Sequence, residues 1–188
     1  MFPSGGSITF DPAGLSSPSV IGLPYTVLRT SDTSARTNNT LTNDDGTGGT
    51  LKFTIGTSAT ETYFVEAFLY FNAANGTMDI KVGWNATGLP ASATANWGAQ
   101  AGVNAVGPNV LSGFAGISTA TVPPAITAIG GTVAVGSVTG TNGLGLAGTF
   151  FGGGTGGDIV FAWAQNTTDA GNLVLKAGSF LRVTKLRA

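Results

Sequence analysis

Apolar and polar residues alternate at intervals of two along much of the chain, and the strongest such pattern closes it. In residues 158–186 (DIVFAWAQNTTDAGNLVLKAGSFLRVTKL), Ile159, Phe161 and Trp163 alternate with Val160, Ala162 and Ala164, which predicts a strand buried on both faces. Residues 166–172 (NTTDAGN) carry turn chemistry, and two further short strands follow, broken at Ala177, Gly178 and Ser179. A terminal strand laid into the middle of a sheet is expected to tie down this end. Earlier in the chain, Leu51, Phe53 and Ile55 alternate with Lys52 and Thr54, a strand with one apolar face. Residues 62–72 (TYFVEAFLYFN) differ: Tyr63, Val65, Ala67, Leu69 and Phe71 line one face, and Phe64, Glu66, Phe68 and Tyr70 the other. A strand aromatic on both faces leaves neither in water, so the second face is expected to meet another subunit. The simpler alternative is a central strand covered within one sandwich.

Asn75-Gly76 reads as a hairpin connection, with Met78, Ile80, Val82 and Trp84 facing inward on the returning strand and Asp79 and Lys81 outward. Residues 25–29 (YTVLR) predict a first strand, and a short one is expected near residues 40–42. Residues 128–137 and 145–154 echo each other through a shared Gly-Thr pattern, which suggests duplicated hairpins. Eight to twelve short strands with no capped helical period predict an all-β sandwich or jelly roll. A porin-like barrel fits poorly, because strands apolar on both faces do not line a wet lumen.

Composition narrows the chemistry. Only 9% of the 188 residues are charged, and the net charge of −1 argues against nucleic acid or an anionic membrane as partner. Cys and His are absent, which removes disulfides, thiolate or imidazole metal ligands and every His-based catalytic pair. No secretory leader or membrane helix is visible. No cofactor is implied. Residues 82–157 contain no Asp, Glu, Lys or Arg, yet keep enough aliphatic and aromatic positions to predict ordered strands and loops. Residues 1–24 hold four prolines and read as an extended arm. A disordered leader is the plainer alternative, but its apolar residues, among them Phe2, Ile8, Phe10 and Leu15, suit docking on a neighbour.

Candidate chemistry is sparse. Asp44-Asp45 offers clustered carboxylates to Ca²⁺, but a polar turn is the simpler reading. Nothing pairs the nine acidic residues for glycoside hydrolysis. Residues 152–157 (GGGTGG) share only glycine content with a phosphate loop. The face of Phe64, Phe68 and Tyr70 suits sugar stacking, though a subunit core explains it more simply.

Three blocks carry a family resemblance: residues 27–46 (VLRTSDTSARTNNTLTNDDG), 63–84 (YFVEAFLYFNAANGTMDIKVGW) and 146–186, the last containing Trp163-Ala164-Gln165-Asn166-Thr167 and residues 177–183 (AGSFLRV). Together they resemble tailed-bacteriophage virion proteins, especially of actinobacteriophages, whose domains are trimeric jelly rolls of the tumour-necrosis-factor and complement-C1q kind. The resemblance implies an antiparallel jelly-roll sandwich over residues 25–188 and a homotrimer; the N-terminal attachment arm read over residues 1–24 and the Gly-rich uncharged insertion at 86–128 have no counterpart in that family. It implies a structural, non-enzymatic virion component. A capsid decoration protein that binds the major capsid protein is the first expectation, and a tail-tip or fibre protein recognising host glycan the alternative. In such a fold the terminal strand runs through the centre, so Phe180 and Arg182 join Phe64, Glu66, Phe68 and Tyr70 at the trimer interface. Arg182 is the expected partner of Glu66, which needs a cation if it is buried there. Phe2, Ile8, Phe10 and Leu15 would serve capsid attachment.

Overall fold

A computed structural model of the chain describes residues 20–44, 48–87, 93–102, 129, 131–137 and 139–188. Phe2, Ile8, Phe10 and Leu15, the residues expected to serve capsid attachment, together with Asp45 and most of the uncharged insertion, lie outside the described residues. Those described form eleven strands and no helix. Two antiparallel sheets face each other. Sheet A runs β1 (Pro24–Leu28), β11 (Phe180–Arg187), β4 (Thr62–Ala73), β8 (Gly140–Phe151), β6 (Thr94–Gly102), with β10 (Leu173–Leu175) continuing the β11 position along β4. Sheet B runs β2 (Thr42–Asn43), β9 (Gly157–Gln165), β5 (Ile80–Thr87), β7 (Thr132–Val135), with β3 (Lys52–Ile55) also on β9. Four of the pairings are nested: β1 with β11, β3 with β9, β4 with β8 and β5 with β7.

The two-residue alternation decides what goes inside. Tyr63, Val65, Leu69 and Phe71 of β4 meet Met78, Ile80, Val82 and Trp84 and the Phe53, Ile159, Phe161 and Trp163 side of sheet B in one continuous core. Trp84 sits at its centre, with ring centroids of Phe150 at 5.4 Å, Phe161 at 5.6 Å and Trp97 at 6.4 Å, all near edge-on. Such edge contacts add roughly 0.5–1.5 kcal/mol each beyond area burial. β9 is buried on both faces, as its pattern predicts; Val160, Ala162 and Ala164 are its small outward side. β11 lies between β1 and β4, so the terminal strand is interior to its sheet.

Two expectations about connections are corrected. Asn75-Gly76 does not close a hairpin: β4 belongs to sheet A and β5 to sheet B, so the turn crosses from one sheet to the other. Its side chain still shapes the turn, since Asn75 Oδ1 accepts from Thr77 N at 3.1 Å. The echoing segments are not duplicated hairpins either. The first covers β7 of sheet B and the second the end of β8 of sheet A, each a single strand with a different partner.

Candidate assembly face

Strand register sets out the outer face of sheet A row by row. Leu28 lies beside Phe180, Phe180 beside Phe68, and Phe68 beside Gly145. In the next row Thr26, Arg182, Glu66, Ala147 and Gly98 follow one another across the five strands. In the next come Pro24, Thr184, Phe64, Thr149 and Asn96. All six residues expected at a subunit interface, Phe64, Glu66, Phe68, Tyr70, Phe180 and Arg182, therefore stand on this one face.

Its aromatic residues are organised. Phe68 packs edge-on against Tyr70, with centroids 5.0 Å apart, and stacks on Phe180 at 6.4 Å. The Phe68 ring also leans over Gly143, where a Cβ would lie 3.3 Å from Cζ, so the missing side chain makes room for it. Within a single chain the cluster remains partly open: Tyr70 is 40% and Leu28 53% exposed. Arg182 reaches Glu66 through two donors, Nε at 2.9 Å and Nη2 at 2.6 Å, both to Oε2. The expected partnership of these two residues is thus present, within one subunit. In the isolated chain the pair is exposed, at 48% for Arg182 and 37% for Glu66, where such a contact contributes roughly 0–1 kcal/mol.

The outer face of sheet B is different in kind. Lys52 beside Val160, Asn85 against Asn43 at 2.6 Å, and Lys81 reaching the Asn39 carbonyl at 2.6 Å cover the small residues of β9 with polar groups. Asp158 accepts from Lys52 and from Thr54, both at 2.7 Å, and these bonds hold its carboxyl below the usual value. The sandwich thus has one polar face and one aromatic face.

Several charged residues serve architecture that the sequence did not disclose. Arg29 and Asp44 form an ion pair with both side chains fully buried, and Asp44 Oδ2 accepts from Leu51 N at 2.8 Å. Asp44 is therefore neither a solvated polar turn nor half of an Asp44-Asp45 cation site; its oxygens are taken by Arg29 and the β3 approach. Arg36 lays its guanidinium 3.8 Å from the Trp163 ring centroid and donates to the carbonyls of Thr42, Asn43 and Trp163. Gln165 Nε2 donates to the carbonyls of Gly171 at 2.7 Å and Arg36 at 3.1 Å, while its Oε1 accepts from Asp169 N. The Trp163-Ala164-Gln165 block thus fastens the 29–44 segment and the 166–172 turn to β9. Gly178, at φ +88°, makes the break between β10 and β11, and Ser179 Oγ fills the resulting gap by accepting from Tyr70 N at 2.9 Å.

At one end of the sandwich Glu61 accepts from Lys185 Nζ and from the Tyr63 hydroxyl, both at 2.7 Å. Burial pushes the Glu61 carboxyl up, but the two hydrogen bonds and the lysine charge outweigh it and leave it below the usual value. The same burial and the same carboxylate push the Tyr63 phenol well above its ordinary value. Among the described residues no three Asp or Glu side chains come together as metal ligands, and no helix is long and apolar enough to cross a membrane. No protein-family model matches the chain, and no curated protein matches it.

Proposed function

We propose that this protein is a non-enzymatic structural component of a phage particle, a jelly-roll domain that assembles as a homotrimer through the outer face of sheet A and decorates the capsid. The observation that carries this reading is the aromatic outer face itself. A strand with Phe64, Phe68 and Tyr70 on its second face, flanked by Phe180 and Leu28, presents apolar surface of the kind that subunit contacts cover, while the opposite sheet keeps its polar coat. The nested pairing of β1 with β11, β3 with β9, β4 with β8 and β5 with β7 supports the jelly-roll assignment, because folding one long antiparallel ribbon into two sheets produces that order. Asp32, Asp44, Glu61, Glu66 and Asp158 are each engaged by a lysine or arginine, which favours structural work for these carboxylates. The resemblance of residues 27–46, 63–84 and 146–186 to virion proteins supplies the setting, and the apolar, proline-rich arm supplies a means of attachment.

Counting copies tests the reading. Quantitative mass spectrometry of purified particles should give hundreds of copies of the chain per particle, and labelling should place them over the head. A few copies at the tail tip would favour a receptor-binding component, and absence from particles would overturn the virion assignment.

A further inference from the structure

The outer face of sheet A is itself divided. On β11 and β4 it carries Phe180, Phe64, Phe68 and Tyr70 around the Glu66–Arg182 pair. On β8 and β6 it carries Thr149, Ala147, Gly145, Gly143, Asn96 and Gly98. Ala147 and Asn96 are exposed. Both of these strands fall within the 76 consecutive residues that contain no charge, 82–157. One half is thus a ridge of large side chains and the other a low, uncharged shelf.

We propose that the ridge of one copy packs on the β8–β6 shelf of the next, so that each copy uses two different surfaces and the assembly is a head-to-tail ring. This rests on the assembly reading above and specifies which residues meet. Three considerations favour it over an interface in which the same patch meets itself. A ridge against a ridge would bring Tyr70 and Phe68 of two copies to the same level, with no recess to receive either. It would also bring two Glu66–Arg182 pairs into competition for the same space. Ridge on shelf instead sets each pair, already neutralised within its own subunit, against Ala147 and Gly98, where no unmatched charge arises. The absence of charge from the shelf matches the depletion of charged residues at interface centres. A contact between two different surfaces closes into a ring when its rotation permits.

The test is complementation between two variants that each spoil one surface. Phe68→Asp alters the ridge and Ala147→Arg the shelf, and circular dichroism melts check that both remain folded. If either fails to fold, Tyr70→Glu and Asn96→Arg replace them. Each variant alone should sediment as a monomer. Mixed in equal amounts, they should form a one-to-one heterodimer, since one intact ridge then meets one intact shelf. Assembly of the shelf variant on its own, or a mixture that stays monomeric while the unaltered protein oligomerises, overturns the ridge-on-shelf contact and leaves the broader assembly reading standing. A monomeric unaltered protein overturns both.

Discussion

The buried pair of Arg29 and Asp44 gives the sharpest energetic forecast. Asp44→Asn preserves shape but removes the charge that compensates a guanidinium with no exposure at all. Breaking a buried pair from one side costs about 3–5 kcal/mol. The amide brings a second conflict, because one end of it must turn a donor either toward Arg29 or toward Leu51 N, which now donates to Asp44 Oδ2 at 2.8 Å. For a chain of this length each kcal/mol lowers Tm by roughly 2–4 °C, so the melt should fall by about 6–20 °C. Replacing both partners, Arg29→Met with Asp44→Leu, should recover much of this but not all. Leu51 N would still lack its acceptor, and an orphaned buried amide costs about 1–3 kcal/mol. Thermal and urea melts at one fixed protein concentration would measure the cycle, since subunit association makes Tm concentration-dependent. A single Asp44→Asn variant that melts within about 2 °C of the parent would refute the claim that this buried pair stabilises the fold.

Phe68→Ala should weaken assembly by about 3–5 kcal/mol if neighbours complete the burial of the ring, and a sedimentation midpoint equal to the parent's would place the contact elsewhere. For Glu66→Gln and Arg182→Met, a double-mutant cycle on chain stability at low concentration should give a coupling of only about 0–1 kcal/mol, whereas the same cycle on assembly should give a larger one; equal couplings would argue that the pair stays in water. Acid should expose the Glu61 cluster. Because its folded value lies below the ordinary 4.5, the stability it contributes is complete above that pH and is lost as pH falls through the depressed value. Glu61→Gln should cost about 2 kcal/mol near neutrality and flatten the pH dependence of Tm below about pH 4.5; an unchanged acid limb would remove this group from the account.

Much of the fold was legible because alternation at two-residue spacing is a direct record of which side faces the core. β4, β5 and β9 show their inward residues without ambiguity, and so does the second aromatic face of β4. β6 was not legible. Its inward positions Ala95, Trp97 and Ala99 follow Thr94 and are separated by Asn96 and Gly98, so a single tryptophan carries the whole apolar signal. The Asn75-Gly76 turn misled for another reason: local turn chemistry fixes the bend but not whether the flanking strands pair in one sheet or face each other across two. The Glu66–Arg182 partnership was readable once the terminal strand was placed beside β4. Arg29 with Asp44, and Arg36 on Trp163, were not, because partners 15 and 127 residues apart are joined by the path of an irregular segment, and neither propensity nor period describes that path.

The proposed assembly requires the aromatic face of sheet A to be covered by copies of the same chain. Sedimentation equilibrium of the purified protein at micromolar concentration measures this directly. The expected result is a single species of three chain masses, and a stable, soluble species of one chain mass, 18.7 kDa, at the same concentration would contradict it.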